Sequence, residues 1–170
     1  MNPLKALRDM RTIGKLLTDA EQIARRMGDE QPSAEHLLIA AVGLPDGSAA
    51  AALANFDLDG PRLEAAVREE HAAGLVAAGV APEAAARMTD DNPLLPAEPR
   101  GIYRSNPSAQ ELFQAAGAAA REAGQRLSGA HVVLAAADLE HGTLTRVLER
   151  CGVVREALRE AARSQLDRPQ

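Results

Sequence analysis

The chain has 170 residues, 46% of them hydrophobic but only 2% aromatic, with a formal net charge of −5 and a pI near 5.4. This length suits one domain or two closely packed halves with a real core, and the acidic balance argues against a general nucleic-acid surface. The single cysteine, Cys151, excludes a disulfide framework and a multi-cysteine metal knuckle, and no run approaches the roughly 18 apolar residues of a membrane span.

With two Phe, one Tyr and no Trp, alanine and leucine must fill the core. Alanine has the best helix propensity, and small side chains let helices approach closely. The β-branched and aromatic residues that favour strands are sparse, so the expected fold is all-α.

In chain order, residues 3–10 either form a short helix or extend the next one, with Gly14 leaving both options open. Leu16, Leu17, Ala20, Ile23, Ala24 and Met27 then recur at helical spacing, and Gly28 stops the run. In "PSAEHLLIAAV" Ser33 is a natural N-cap for a helix to about Val42. "PDGS" is a turn, a third helix covers roughly 48–55, and Asp59 caps a fourth with Pro61 in its first turn. Residues 81–104, rich in proline, read as a partly irregular linker. Asn106-Pro107 opens a second set of helices expected at about 107–123, 128–138, 142–151 and 153–166.

The second set repeats the first. Residues 33–68 laid over 128–163 match at Ser33/Ser128, His36/His131, Leu44/Leu139, Gly47/Gly142, Leu53/Leu148 and Leu63/Leu158, among others. Upstream, Leu16, Ala20, Arg25 and Gly28 match Leu112, Ala116, Arg121 and Gly124, with one residue lost before Ser128. The expected organisation is a first repeat over 1–80, a linker over 81–104 and a second repeat over 105–170.

Little in this sequence carries reaction chemistry. It shows no nucleophile elbow, phosphate-cradling glycine loop or paired catalytic carboxylates. His36 and His131 sit at matched helix starts and suit a structural hydrogen-bonding role, while His71 and His141 lack a second ligand at metal spacing. Cys151 matches Phe56 in the repeat and so belongs to the core. Glu35, whose counterpart is Ala130, is either an acid favoured by the helix dipole or a carboxylate ready for a ligand's guanidinium or ammonium. No catalytic residue, cofactor or metal is expected.

Two copies of a helix, a Gly stop, an "AEHLL"-type helix start and a third helix resemble the double repeat in the N-terminal domain of Clp-type AAA+ unfoldases, ClpC-like proteins among them. "ARRMGDEQPSAEHLLIAAV" and "SNPSAQELFQAAGAAAREAGQRLSGAHVVLAAAD" carry the likeness. It implies an eight-helix domain of two pseudo-symmetric four-helix repeats and a binding role. With no ATPase module following, the chain is similar to stand-alone proteins of this family. The resemblance places an adaptor- and cyclic-peptide-binding surface along the first helix of each repeat, at Ile13, Leu16, Leu17, Gln110 and Gln114. It also implies phosphoarginine sites that pair the Glu of each motif with a Thr at the start of each repeat's first helix. Here Glu35 matches, the first Thr position falls on Met10, Asn106 stands at the second, and Ala130 replaces the second acid, so neither site is complete.

The functional expectation is a cytoplasmic, non-enzymatic binding module of protein quality control. It would act as an adaptor, accessory or decoy, binding peptide segments, adaptors, a Clp ATPase or the ClpP protease. The alternatives are sequestration of Clp-targeting cyclic peptide antibiotics and a helical DNA-binding regulator. The acidic balance weighs against the second of these; neither nucleic acid nor membrane is an expected partner.

Overall fold

The computed structural model describes residues 3–90 and 105–168, with side chains from residue 9 onward. Its regular structure among these residues is helical throughout. The first repeat contributes α1 (Pro3–Met27), α2 (Ala34–Val42), α3 (Ser48–Ala54) and α4 (Gly60–Ala77). The second contributes α6 (Pro107–Glu122), α7 (Gly129–Asp138), α8 (Thr143–Arg150) and α9 (Arg155–Leu166), and α5 (Pro82–Asp90) stands between them. The opening residues join α1 through Gly14 rather than forming a helix of their own.

The eight helices of the two repeats stand as expected, and among the described residues α5 adds a ninth in the first part of the expected irregular linker. Pro82 reads as a breaker, yet it stands at the helix's first position, where its missing N–H costs nothing. The alanine-rich run behind it propagates the helix and buries Ala85 against α4. Residues 91–104 of the expected linker lie outside the described residues.

Local chemistry sets the helix ends in both copies. Gly28 and Gly124 take φ of 85° and 63°, which lets Asp29 N–H donate to Ala24 O at 2.8 Å and Gln125 N–H to Ala120 O at 2.9 Å. These bonds satisfy carbonyls that the helix end would otherwise leave open. The Asp59 carboxylate accepts from Arg62 N–H at 2.9 Å, and the Asn106 side chain accepts from Ser108 N–H at 3.1 Å.

Each repeat alone leaves its helices half covered, and the other repeat covers them. The second helices α2 and α7 meet at the centre, and then partners are exchanged: α3 packs on α9, and α4 on α8. The core lining these contacts is leucine, valine and alanine, with Leu37, Leu38, Leu53, Leu63, Val132, Leu144 and Leu158 fully buried.

A buried carboxylate seals the α4–α8 contact. Glu70 accepts from Arg146 Nε at 2.5 Å and from Arg150 Nη2 at 2.8 Å. Burial works against the charge on Glu70, but these arginines outweigh it and hold the carboxyl below its ordinary range. A depressed acid contributes stability that is present above its ordinary value of 4.5 and lost as pH falls through its folded value. Both guanidiniums are about half exposed and can be rehydrated when Glu70 is removed. Glu70→Gln is therefore expected to cost about 1–2 kcal/mol at pH 7, less than breaking a wholly buried pair. Urea unfolding should show this difference shrinking toward pH 3.

Candidate functional site

The repeated Ser and His build the frame around the site. Ser33 N–H donates to His36 Nδ1 at 3.0 Å, and Ser128 N–H donates to His131 Nδ1 at 3.2 Å. Each serine hydroxyl accepts in return from its histidine's backbone amide, so both helices open with a reciprocal capping box. Both imidazoles are 0% exposed. Because Nδ1 accepts from an amide, the ring proton sits on Nε2 in each.

In the first repeat the Asp29 carboxylate lies 3.2 Å from His36 Nε2. Ser33, His36 and Asp29 thus lie in the order of a hydrolytic triad. The arrangement is a cap nonetheless: Nδ1 is engaged by the Ser33 amide, and the serine is buried at a helix start. His131 has no acid, because Gln125 stands at the Asp29 position and donates to Leu166 O at 3.2 Å. Burial alone then lowers the basicity of His131, a bias that nearby Asp46 partly offsets.

Each α2- or α7-type helix start is also capped by the opposite repeat. Ala34 N–H donates to Ser108 Oγ at 3.2 Å, and Asn106 N–H donates to Pro32 O at 2.9 Å. Across the pseudo-twofold, Gly129 N–H donates to Asp46 Oδ2 at 3.2 Å and Ala130 N–H to Ser48 Oγ at 2.7 Å. A cleft of about 280 Å³ brings Asp9, Arg11 and Thr12 of α1 beside Ser128. The opposite repeat therefore reaches each helix start: Ser108 at α2, and Asp46, Ser48 and the cleft residues Asp9, Arg11 and Thr12 at α7.

Of the two readings of Glu35, its burial disfavours the carboxylate ready for a ligand. It is only 5% exposed, and its Oε1 lies 3.9 Å from His71 Nε2 on α4. Burial disfavours the charge, but the contacts with His71 and Ser33 outweigh it and hold the carboxyl below its ordinary range. His71 is raised in turn, chiefly by Glu35 and against its own partial burial. Sequence reasoning set His71 aside because it looked for a second metal ligand; His71's partner is an acid from another helix. Ala130, at the matching place in the second repeat, is fully buried and carries no acid.

The first-helix surface divides in two. Leu16 is 0% exposed and packs in the core beneath α1, which corrects its assignment to a binding surface. It lies at the centre of the stripe that α1 buries on α2. Ile13 and Leu17 flank that stripe and are half-buried, and Met10 on the same flank is 60% exposed. On α6, Phe113 matches Leu17 and is also half-buried, and Gln114 is exposed. Gln110 is half-buried and donates to Ser105 O at 2.9 Å, so its amide is partly spent on the chain itself. The Asn106 side chain is spent as the α6 cap. Both helices rest on α2.

A groove of about 700 Å³ opens on another face, between α4, the end of α1 and α5. Met27, Leu75 and Met88 line it together with Asp29, His71 and Arg146. Among the described residues no group of three His, Cys, Asp or Glu side chains is arranged to hold a metal ion. No helix among them is long and apolar enough to cross a membrane. Cys151 is half-buried beside the core, and burial raises its thiol, which disfavours the thiolate.

Among the described residues, eight helices in two exchanged sets of four, with a short ninth between them, define an all-α double-repeat fold. Residues 11–91 match the Clp repeat (R) N-terminal domain family. The N-terminal domain of the caseinolytic-protease-associated chaperone ClpD from Arabidopsis thaliana has the same fold. It superposes with a TM-score of 0.56 at 16% identity, covering 92% of this chain and 93% of that one. A chain solved in preliminary structural investigations of a malarial protein secretion system superposes with a TM-score of 0.58 at 16% identity, covering 92% of each. No curated protein matches the chain in sequence. The chain is thus similar to Clp N-terminal domains: residues 11–91 match that family, and the described residues have its fold.

Proposed function

We propose that this protein is a cytoplasmic, non-enzymatic binding module of Clp protein quality control. It acts as an adaptor, accessory or decoy and takes peptide segments or a Clp component along the outer flank of α1 and α6. The observation that carries this reading is the apolar flank of α1: Met10, Ile13 and Leu17 follow one another at helical spacing, from largely exposed to half-buried. Such a stripe offers apolar anchors without unmaking the core. Sequestration of a cyclic peptide would use the same stripe. The arginines of α8 and α9 do not favour a nucleic-acid role. Four of them are engaged within the chain: Arg146 and Arg150 with Glu70, Arg159 with Asp138, and Arg155 with the Glu140 carbonyl; Arg163 is exposed.

Site-specific photo-crosslinking tests the reading. A photoreactive residue at Met10 or Gln114 should capture a purified Clp ATPase, the ClpP protease or an unfolded substrate. The same residue at Val154, which is 59% exposed at the start of α9, should not. Equal capture from Val154, or none from Met10, would remove the α1–α6 flank as the binding surface.

A further inference from the structure

The first repeat holds a cluster of titratable groups that the second lacks. Glu35 and His71 pair at 3.9 Å between the start of α2 and the middle of α4, and Asp29 and His36 lie 3.2 Å apart beside them. The matching positions in the second repeat are Ala130, Gln125 and the unaccompanied His131. His71 also lines the 700 Å³ groove, whose other wall is α5, and α5 packs chiefly on α4. The contact of α4 with α2 therefore helps set the groove, beside the Glu70 contact that holds α4 to α8.

We propose that the His71–Glu35 pair is a proton-operated latch that holds α4, and with it the α4–α5 wall of the groove, against the start of α2. With His71 protonated, the imidazolium lies against a carboxylate that is 5% exposed, so the attraction is weakly screened. When His71 loses its proton, Glu35 is left as a buried carboxylate without its cation. The other acids near His71 do not replace that contact. Asp29 lies against His36, and Glu70 is taken by Arg146 and Arg150 from α8. The cations lining the same groove are Arg68, which lies 3.7 Å from Glu64, and Arg146.

The two partners give opposite signs. His71 is raised by the pair, so its contribution is fully present below the ordinary imidazole value of 6.5 and is lost as pH rises through its folded value. Glu35 is lowered, so its contribution is present above the ordinary 4.5 and is lost as pH falls through its folded value. The latch is closed between those limits and opens on the alkaline side through His71. Nothing equivalent acts in the second repeat.

Two measurements on the whole chain test this. An NMR titration should give His71 a midpoint above that of an ordinary histidine, and Glu35→Gln should return it toward the ordinary value. Amide exchange, corrected for its intrinsic pH dependence, should show protection over 60–90 falling about three- to tenfold between pH 6 and pH 8.5. Protection over 129–166 should hold steady, and His71→Gln should abolish the difference over 60–90. An ordinary His71 midpoint in the wild type would overturn the proposal. So would equal loss of protection in both repeats, or the same pH dependence in His71→Gln.

Discussion

Gly129→Ala is expected to destabilise the protein by about 1–3 kcal/mol, although alanine is the better helix former. A Cβ on Gly129 would stand 2.7 Å from Ala49 Cβ, 2.9 Å from Ala49 N and 3.1 Å from Ala41 O. Two of these atoms are backbone, so they cannot rotate away. The start of α7 lies this close to α2 and α3 because Asp46 and Ser48 cap it from the opposite repeat. Pushing α7 outward would therefore stretch those caps as well. Gly14→Ala is the control: nothing lies within 4 Å of its added Cβ, and the position is an exposed helix interior. That change should stabilise by about 0.5–1 kcal/mol. Urea unfolding followed by circular dichroism reads both. A Gly129→Ala variant as stable as the wild type would show that the two repeats do not meet this closely.

Leu16→Ala should cost about 2–5 kcal/mol, a large share of the roughly 5–15 kcal/mol that holds a domain folded. Leu16 is fully buried between α1 and the helices beneath it, and truncation leaves a cavity that rigid neighbours cannot fill. Met10→Ala, on the exposed flank of the same helix, should change stability by less than about 0.5 kcal/mol. Its effect should appear in capture of a partner instead. The two variants separate what α1 does for the core from what it offers outside. A Leu16→Ala variant that stays stable but loses binding would put Leu16 back on the surface.

Helices, caps and the duplication were legible because their causes are local. Gly28 and Gly124 stop helices through their own backbone conformation, and Asp59 and Asn106 cap through atoms two or three residues away. The apolar stripe of α1 was equally plain, and so was the structural role of His36 and His131, whose Nδ1 atoms reach back to Ser33 and Ser128. The helix at Pro82–Asp90 was hidden by the neighbouring prolines, because proline breaks a helix interior but starts a helix well.

The candidate site was less legible because its parts come from distant stretches of chain. Periodicity assigned Leu16 and Leu17 to the same face, and only packing on α2 separated a core leucine from a rim leucine. A single acid after a serine cap looks alike whether it faces solvent or a histidine 36 residues later; the arrival of α4 placed His71 against Glu35. Likewise no local pattern foretells that Glu70 will meet two arginines of the other repeat, or that Ala130 will be fully buried. By itself the sequence determined where the helices of the two repeats begin and end and that the unit is written twice, since each of those choices is settled within a few residues. Only the tertiary structure decided how the two copies exchange partners, and therefore which polar groups are buried, paired or left for a ligand. Burial and charge pairing depend on which surfaces meet, and here those surfaces come from opposite repeats.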